Sequence, residues 1–102
     1  MAKVYKITDK LSAENTAMLE VFGENLEFKT DAETVFKALE VADENMSVKD
    51  RYETLQDLLF TKESSRALTK QKLDFASYQQ VVETAFNIAI GRYDGEAEVQ
   101  GE

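Results

Sequence analysis

Three basic side chains, Lys62, Arg66 and Lys70, recur every fourth residue in TKESSRALTKQK, a spacing that aligns them along one edge of a helix. With Lys72 they oppose only Glu63, so residues 61–72 carry a net charge of +3 in a chain whose total is −8. Such a stripe suits contact with an acidic segment of a partner. It equally suits a solvated edge whose cations pair with carboxylates of neighbouring helices or of another subunit, since surface pairs are common and individually weak. Carboxylates are plentiful, and Glu40, Asp43 and Glu44 crowd one short stretch. General acid–base work needs two carboxyls in different environments across a cleft, whereas a run of like charges reads first as a solvated surface. The stretch DGEAEVQGE departs from the spacing of a calcium loop. The glycines at 23, 91, 95 and 101 form no phosphate-cradling loop, nucleophile elbow or Walker pattern.

Histidine and cysteine are both absent. Their absence removes the side chain that titrates nearest neutrality, the commonest zinc ligand, thiolate nucleophiles and any disulfide framework. The residues therefore show no signature of an enzyme, a cofactor site or a metal site, and none of these is expected. A charge of −8 repels nucleic-acid phosphates and anionic lipid, which argues against direct nucleic-acid or membrane contact. No apolar run approaches the roughly 18 residues that span a bilayer, and MAKVYKITDK lacks the apolar core of a secretory signal, so a soluble cytoplasmic protein is expected.

The elements that must position these residues can be read from periodicity. The chain has 102 residues, 43% of them hydrophobic, with no proline and no internal repeat, which suits one compact domain. That domain is expected over residues 1–91, with a flexible acidic tail over 92–102. LEV and LEF alternate apolar and polar residues on either side of Gly23-Glu24-Asn25, the pattern of a hairpin at about 18–29. A helix from Ser12 to Phe22 stopped by Gly23 is the rival reading. KVYKIT adds a short edge strand, its lysines suiting an unprotected edge.

From Thr30 the spacing becomes helical. Thr30 and Glu33 form a capping-box pattern, and Val35, Leu39 and Ala42, with Phe36 beside them, mark a buried stripe. Ser47 with Asp50 opens a second helix, in which Val48, Tyr52, Leu55, Leu58 and Leu59 oppose a polar face of Lys49, Glu53, Gln56 and Asp57. A third helix covers Lys62 to Gln71. A fourth is capped by Asp74, runs to about Ile90 and is ended by Gly91. The expected fold class is thus α+β: a short N-terminal hairpin followed by a bundle of about four helices.

The fourth helix poses the sharpest functional question. Phe75, Tyr78, Val81, Val82, Ala85, Phe86, Ile88, Ala89 and Ile90 cover roughly 200° of its circumference, about twice what one core face requires. Either it is the central element of the bundle, covered on two sides, or the Val81, Ala85, Ile88 edge remains open to a second copy or a partner helix.

Residues 51–91, RYETLQDLLFTKESSRALTKQKLDFASYQQVVETAFNIAIG, resemble the tail assembly chaperones of long-tailed bacteriophages and prophages. The resemblance lies in a helix ending Leu-Leu-Phe, a short Lys/Glu-rich helix, and a Leu-x-Phe-x-x-Tyr entry into a last helix with paired β-branched residues; LEVFGENLEF suits that family too. It implies a homo-oligomeric protein of the bacterial host cytoplasm that coats apolar helical segments of the tape-measure protein before the tail tube forms. On this chain it implies a working surface at Val81, Ala85 and Ile88, with Leu58, Leu59, Phe60, Leu73 and Phe75 in structural roles. A different class of function remains open: an acidic inhibitor or decoy that blocks a basic nucleic-acid-binding surface by charge mimicry. That reading needs Glu33, Glu40, Asp43, Glu44, Asp50 and Asp57 gathered on one face.

Overall fold

The computed structural model describes residues 2–93 and shows an antiparallel hairpin followed by four helices, an α+β fold. Strands β1 (Thr16–Val21) and β2 (Glu24–Lys29) pair with Val21 opposite Glu24 and Thr16 opposite Lys29. The turn is therefore the two residues Phe22-Gly23, both left-handed at φ +50° and +86°, as a type I′ hairpin requires. The expected turn at Gly23-Glu24-Asn25 is corrected: Glu24 and Asn25 belong to β2, because a two-residue turn matches the twist of the strands. This register puts Ala17, Leu19, Leu26 and Phe28 on one face, where Leu26 and Phe28 are buried.

No third strand forms among the described residues. Lys3–Thr8, expected as an edge strand, lies unpaired, and a 3-10 turn at Thr8–Lys10 follows it. Val4 and Tyr5 are adjacent and break strict alternation, so the segment lacks the single apolar face that would fix it on the sheet. The expected acidic tail lies outside the described residues from Asp94 onward.

Helix α1 (Ala32–Asp43) is capped by Asp31, whose carboxylate accepts the Thr34 N–H at 3.1 Å. The cap is thus one residue later than the expected Thr30, whose own N–H is engaged by the Asn15 carbonyl at 2.8 Å, continuing the hairpin ladder. The buried stripe also differs from expectation. Ala38 and Val41 are sealed and Val35 is half-buried, while Phe36, Leu39 and Ala42 are exposed. Small side chains allow close helix approach, and α1 packs mainly on α2.

Helix α2 (Val48–Leu59) starts at Ser47, whose hydroxyl accepts the Asp50 N–H, as its sequence requires. Its end delivers Phe60 against Phe28, ring edge to face at 5.9 Å. Thr61 then caps α3 (Lys62–Lys70) and donates its N–H to the Glu27 carbonyl, while Glu27 N–H reaches the Ser64 hydroxyl at 2.7 Å. The α2–α3 junction thereby covers the outer edge of β2. Helix α4 (Phe75–Ala89) is capped by Asp74 and closed by Gly91 at φ +77°. Gly91 N–H returns to the Ile88 carbonyl and Arg92 N–H to that of Asn87, the paired bonds of a Schellman ending. Phe28, Leu59, Phe60, Leu68, Val82 and Ala85 form the centre of one cluster to which hairpin and helices all contribute.

Candidate functional site

Between α2, the end of α3 and the start of α4 the surface opens into a groove of about 500 Å³. Its position follows from chain connectivity. Helix α3 ends at Lys70 and α4 cannot begin before the Asp74 cap, so Gln71 to Leu73 must turn sharply. Lys72 takes a left-handed backbone at φ +48° to do so. Leu73 and Phe75 are then carried to one wall, facing Val48 and Tyr52 of α2 on the other.

The walls are apolar and poorly covered. Phe75 is 59% exposed and Val48 53%, although sequence pattern assigned both to inward faces. Tyr52 stands edge to face against both Phe75 at 6.2 Å and Tyr78 at 6.1 Å, which fixes an aromatic row along the groove.

The floor is polar and internally satisfied. Gln56, 7% exposed, accepts from the Tyr78 hydroxyl at 2.7 Å; its amide nitrogen donates to Ser65 at 2.8 Å and lies 3.2 Å from the Thr69 hydroxyl. The expected place of Gln56 on the outer polar face is therefore corrected, because these partners replace the water it loses on burial. The Tyr52 hydroxyl donates to the Glu83 carboxylate and accepts from the Gln79 amide. Burial first, and then the bond to Glu83, pushes the Tyr52 phenol up; burial pushes up Tyr78 as well. Both phenols thus hold their protons at neutral pH and act as hydrogen-bonding groups. Lys49 pairs with Glu53 at 2.9 Å on the rim, and that hydrogen bond is the main reason its ammonium is shifted upward. Among the described residues no three potential metal ligands converge.

A second, shallower groove of about 430 Å³ lies on the far side of Leu73, between the hairpin turn and α4. Phe22, Val21, Ala76 and Val81 line it, and Leu73 belongs to both grooves. Phe22 is 83% exposed. The two grooves therefore form adjoining parts of one apolar surface hinged on Leu73.

The residues singled out from sequence fall in different places. Val81 is half-buried and lines the second groove. Ala85, expected on the same open edge, is fully buried and so corrects the placing of that edge; a small residue there lets α4 pack closely into the core. Ile88 is half-buried against the core and lines neither groove. Most of the wide apolar arc of α4 is thus covered, and its uncovered part lies at the N-terminal end. Lys62, Arg66 and Lys70 are exposed on α3, and none lies within ion-pair distance of a carboxylate among the described residues, where Lys37–Glu33 and Lys49–Glu53 are the pairs that form. Sequence reasoning missed Phe22, Val48 and Phe75 as exposed residues, while Leu73, expected in a structural role, is half-buried against the core and lies between the two grooves. The available signals were Gly23 beside Phe22, and the short Lys72-Leu73 link ahead of the Asp74 cap.

Comparison of the chain with protein-family models, with curated proteins and with solved structures gives no match.

Proposed function

We propose that this chain is a phage or prophage tail assembly chaperone whose two grooves receive an apolar helical segment of a tape-measure protein. The observation that carries the reading is the adjoining pair of apolar grooves around Leu73, with Val48, Phe75 and Phe22 each more than half exposed. An amphipathic helix docks into such a surface through side chains spaced at i, i+3, i+4 and i+7, and exposed aromatic and aliphatic anchors supply most of the binding energy. Gln56, Tyr78, Ser65 and Thr69 on the floor are neutral and already engaged with one another, so an apolar guest need not supply them with partners. Net charge of −8 keeps a surface of this kind dispersed before its client arrives. The family resemblance of residues 51–91 supports the same reading, as does the stripe of Lys62, Arg66 and Lys70, which pairs with no carboxylate among the described residues and offers a contact for acidic residues flanking the apolar segment. On this reading the protein works in the bacterial host cytoplasm, self-associates, requires no cofactor and touches neither nucleic acid nor membrane.

The chain contains no tryptophan, so a tape-measure peptide carrying one reports binding by fluorescence without background. Phe75→Glu and Val48→Glu alter exposed positions and should each weaken binding at least tenfold, about 1.4 kcal/mol, with circular dichroism unchanged. Undiminished binding by both folded variants would remove the first groove from the function.

A further inference from the structure

The sheet has one covered edge and one open edge. With Val21 opposite Glu24 across a two-residue turn, the bonded pairs of the ladder are Val21–Glu24, Leu19–Leu26 and Ala17–Phe28, and Asn15 continues it to Thr30. Thr16, Met18 and Glu20 consequently turn their N–H and C=O groups outward. On the opposite edge the equivalent outward groups of Glu27 are engaged by Thr61 and Ser64. The backbone of Thr16, Met18 and Glu20 has no such cover among the described residues.

The N-terminal arm has the complementary deficit. Residues 2–15 are all exposed, with Val4 at 86%, Tyr5 at 77% and Ile7 at 54%. Such side chains are strand formers without a strand to join. The first part of the arm, residues 2–11, carries Lys3, Lys6 and Lys10 against Asp9, a net +2, whereas Glu14 precedes β1 and Glu20 and Glu24 lie in the hairpin itself. A turn at Thr8–Lys10, closed by Lys10 N–H to the Ile7 carbonyl and Leu11 N–H to that of Thr8, interrupts the arm, which pairs with neither strand of its own sheet.

From this we infer that the arm of one chain adds as a third strand to β1 of a second copy, each chain giving one arm and receiving one about a two-fold axis. An antiparallel register that sets Lys6 beside Glu20 also sets Tyr5 beside Val21 and Ile7 beside Leu19, on the apolar face of the hairpin. Charge and hydrophobic pattern thus select the same alignment, and both exposed liabilities are removed together. The inference is independent of what the grooves bind.

Sedimentation equilibrium of the full chain tests it. Wild type should double in mass with rising concentration. Met18→Pro deletes an outward N–H that only an added strand would use, at an edge where proline is tolerated, and should remain monomeric. The arm variant Tyr5→Lys with Ile7→Lys changes exposed residues alone and should also remain monomeric with unaltered circular dichroism, so it decides the matter even if the proline disturbs the hairpin. Because the chain lacks cysteine, Lys6→Cys and Glu20→Cys on separate chains, mixed with a short bis-maleimide, should give a covalent heterodimer. A monomeric wild type, a dimer that survives the arm variant, or cross-linking confined within single chains of the Lys6→Cys, Glu20→Cys double variant would each overturn the exchange.

Discussion

The Tyr78 hydroxyl on α4 donates to Oε1 of Gln56 on α2 at 2.7 Å, while the amide nitrogen of the same Gln56 reaches Ser65 and Thr69 on α3. One buried amide therefore ties three helices together beneath the groove. Removing it strands the groups that it satisfies. Gln56→Ala should cost about 1–3 kcal/mol beyond the loss of packing, whereas Tyr78→Phe, which leaves a single acceptor lone pair unmet, should cost less. Chemical denaturation of both variants gives the ranking.

The Phe28–Phe60 pair joins the hairpin to the α2–α3 junction, and both rings are sealed. Phe28→Ala should lose about 3–5 kcal/mol through transfer and cavity terms, and Lys70→Ala on exposed α3 should stay within about 0.5 kcal/mol. Equal denaturation midpoints for the two would contradict the observed core.

Phe22 holds a left-handed backbone at φ +50° while exposing most of its ring. An asparagine tolerates that conformation better, so Phe22→Asn should raise stability by up to about 1 kcal/mol. The ring also lines the second groove. The same substitution should weaken partner binding, separating stability from function in opposite directions when melting temperature and affinity are measured together.

Asp74 and Asp31 cap α4 and α1, and hydrogen bonds from Ser77 and Thr34, side chain first and backbone N–H second, lower both carboxyls below the ordinary 3.8. A carboxylate with a depressed folded pKa adds stability that is complete above its unfolded value and is lost as pH falls through the folded one. Melting temperature should therefore drop as the pH is lowered below about 3.8. Asparagine caps without titrating, so Asp74→Asn should show a shallower acid drop than wild type.

What the sequence made legible was mainly local. Ser47, Asp74 and Gly91 mark helix ends through contacts within a few residues, and the hairpin shows in the alternation around Gly23. Long-range competition hid the rest. Thr30 yields its cap to Asp31 because its N–H is taken by Asn15, and the inward stripe of α1 runs through Ala38 instead of the larger Leu39 because close approach to α2 favours the smaller side chain. Gln56 has the residue type of an outer face, and its burial depends on partners from α3 and α4 that periodicity does not place. The grooves were hidden for a related reason: helical spacing shows that Phe75 shares a face with Val82, but not that neighbouring elements stop short of Phe75. The same spacing points to Val81 and Ala85 alike as surface candidates; Val81 lines a groove, and Ala85 is core.

Salt dependence of client binding separates an apolar groove from a charge decoy most directly. Titration calorimetry of the chain with a tape-measure helical segment at 0.1 M and 1 M salt shortens the Debye length from about 10 Å to about 3 Å. Groove binding predicts affinity retained across that range, a negative heat-capacity change, and loss of binding in Phe75→Glu. Affinity that collapses at high salt and is indifferent to Phe75→Glu would contradict it.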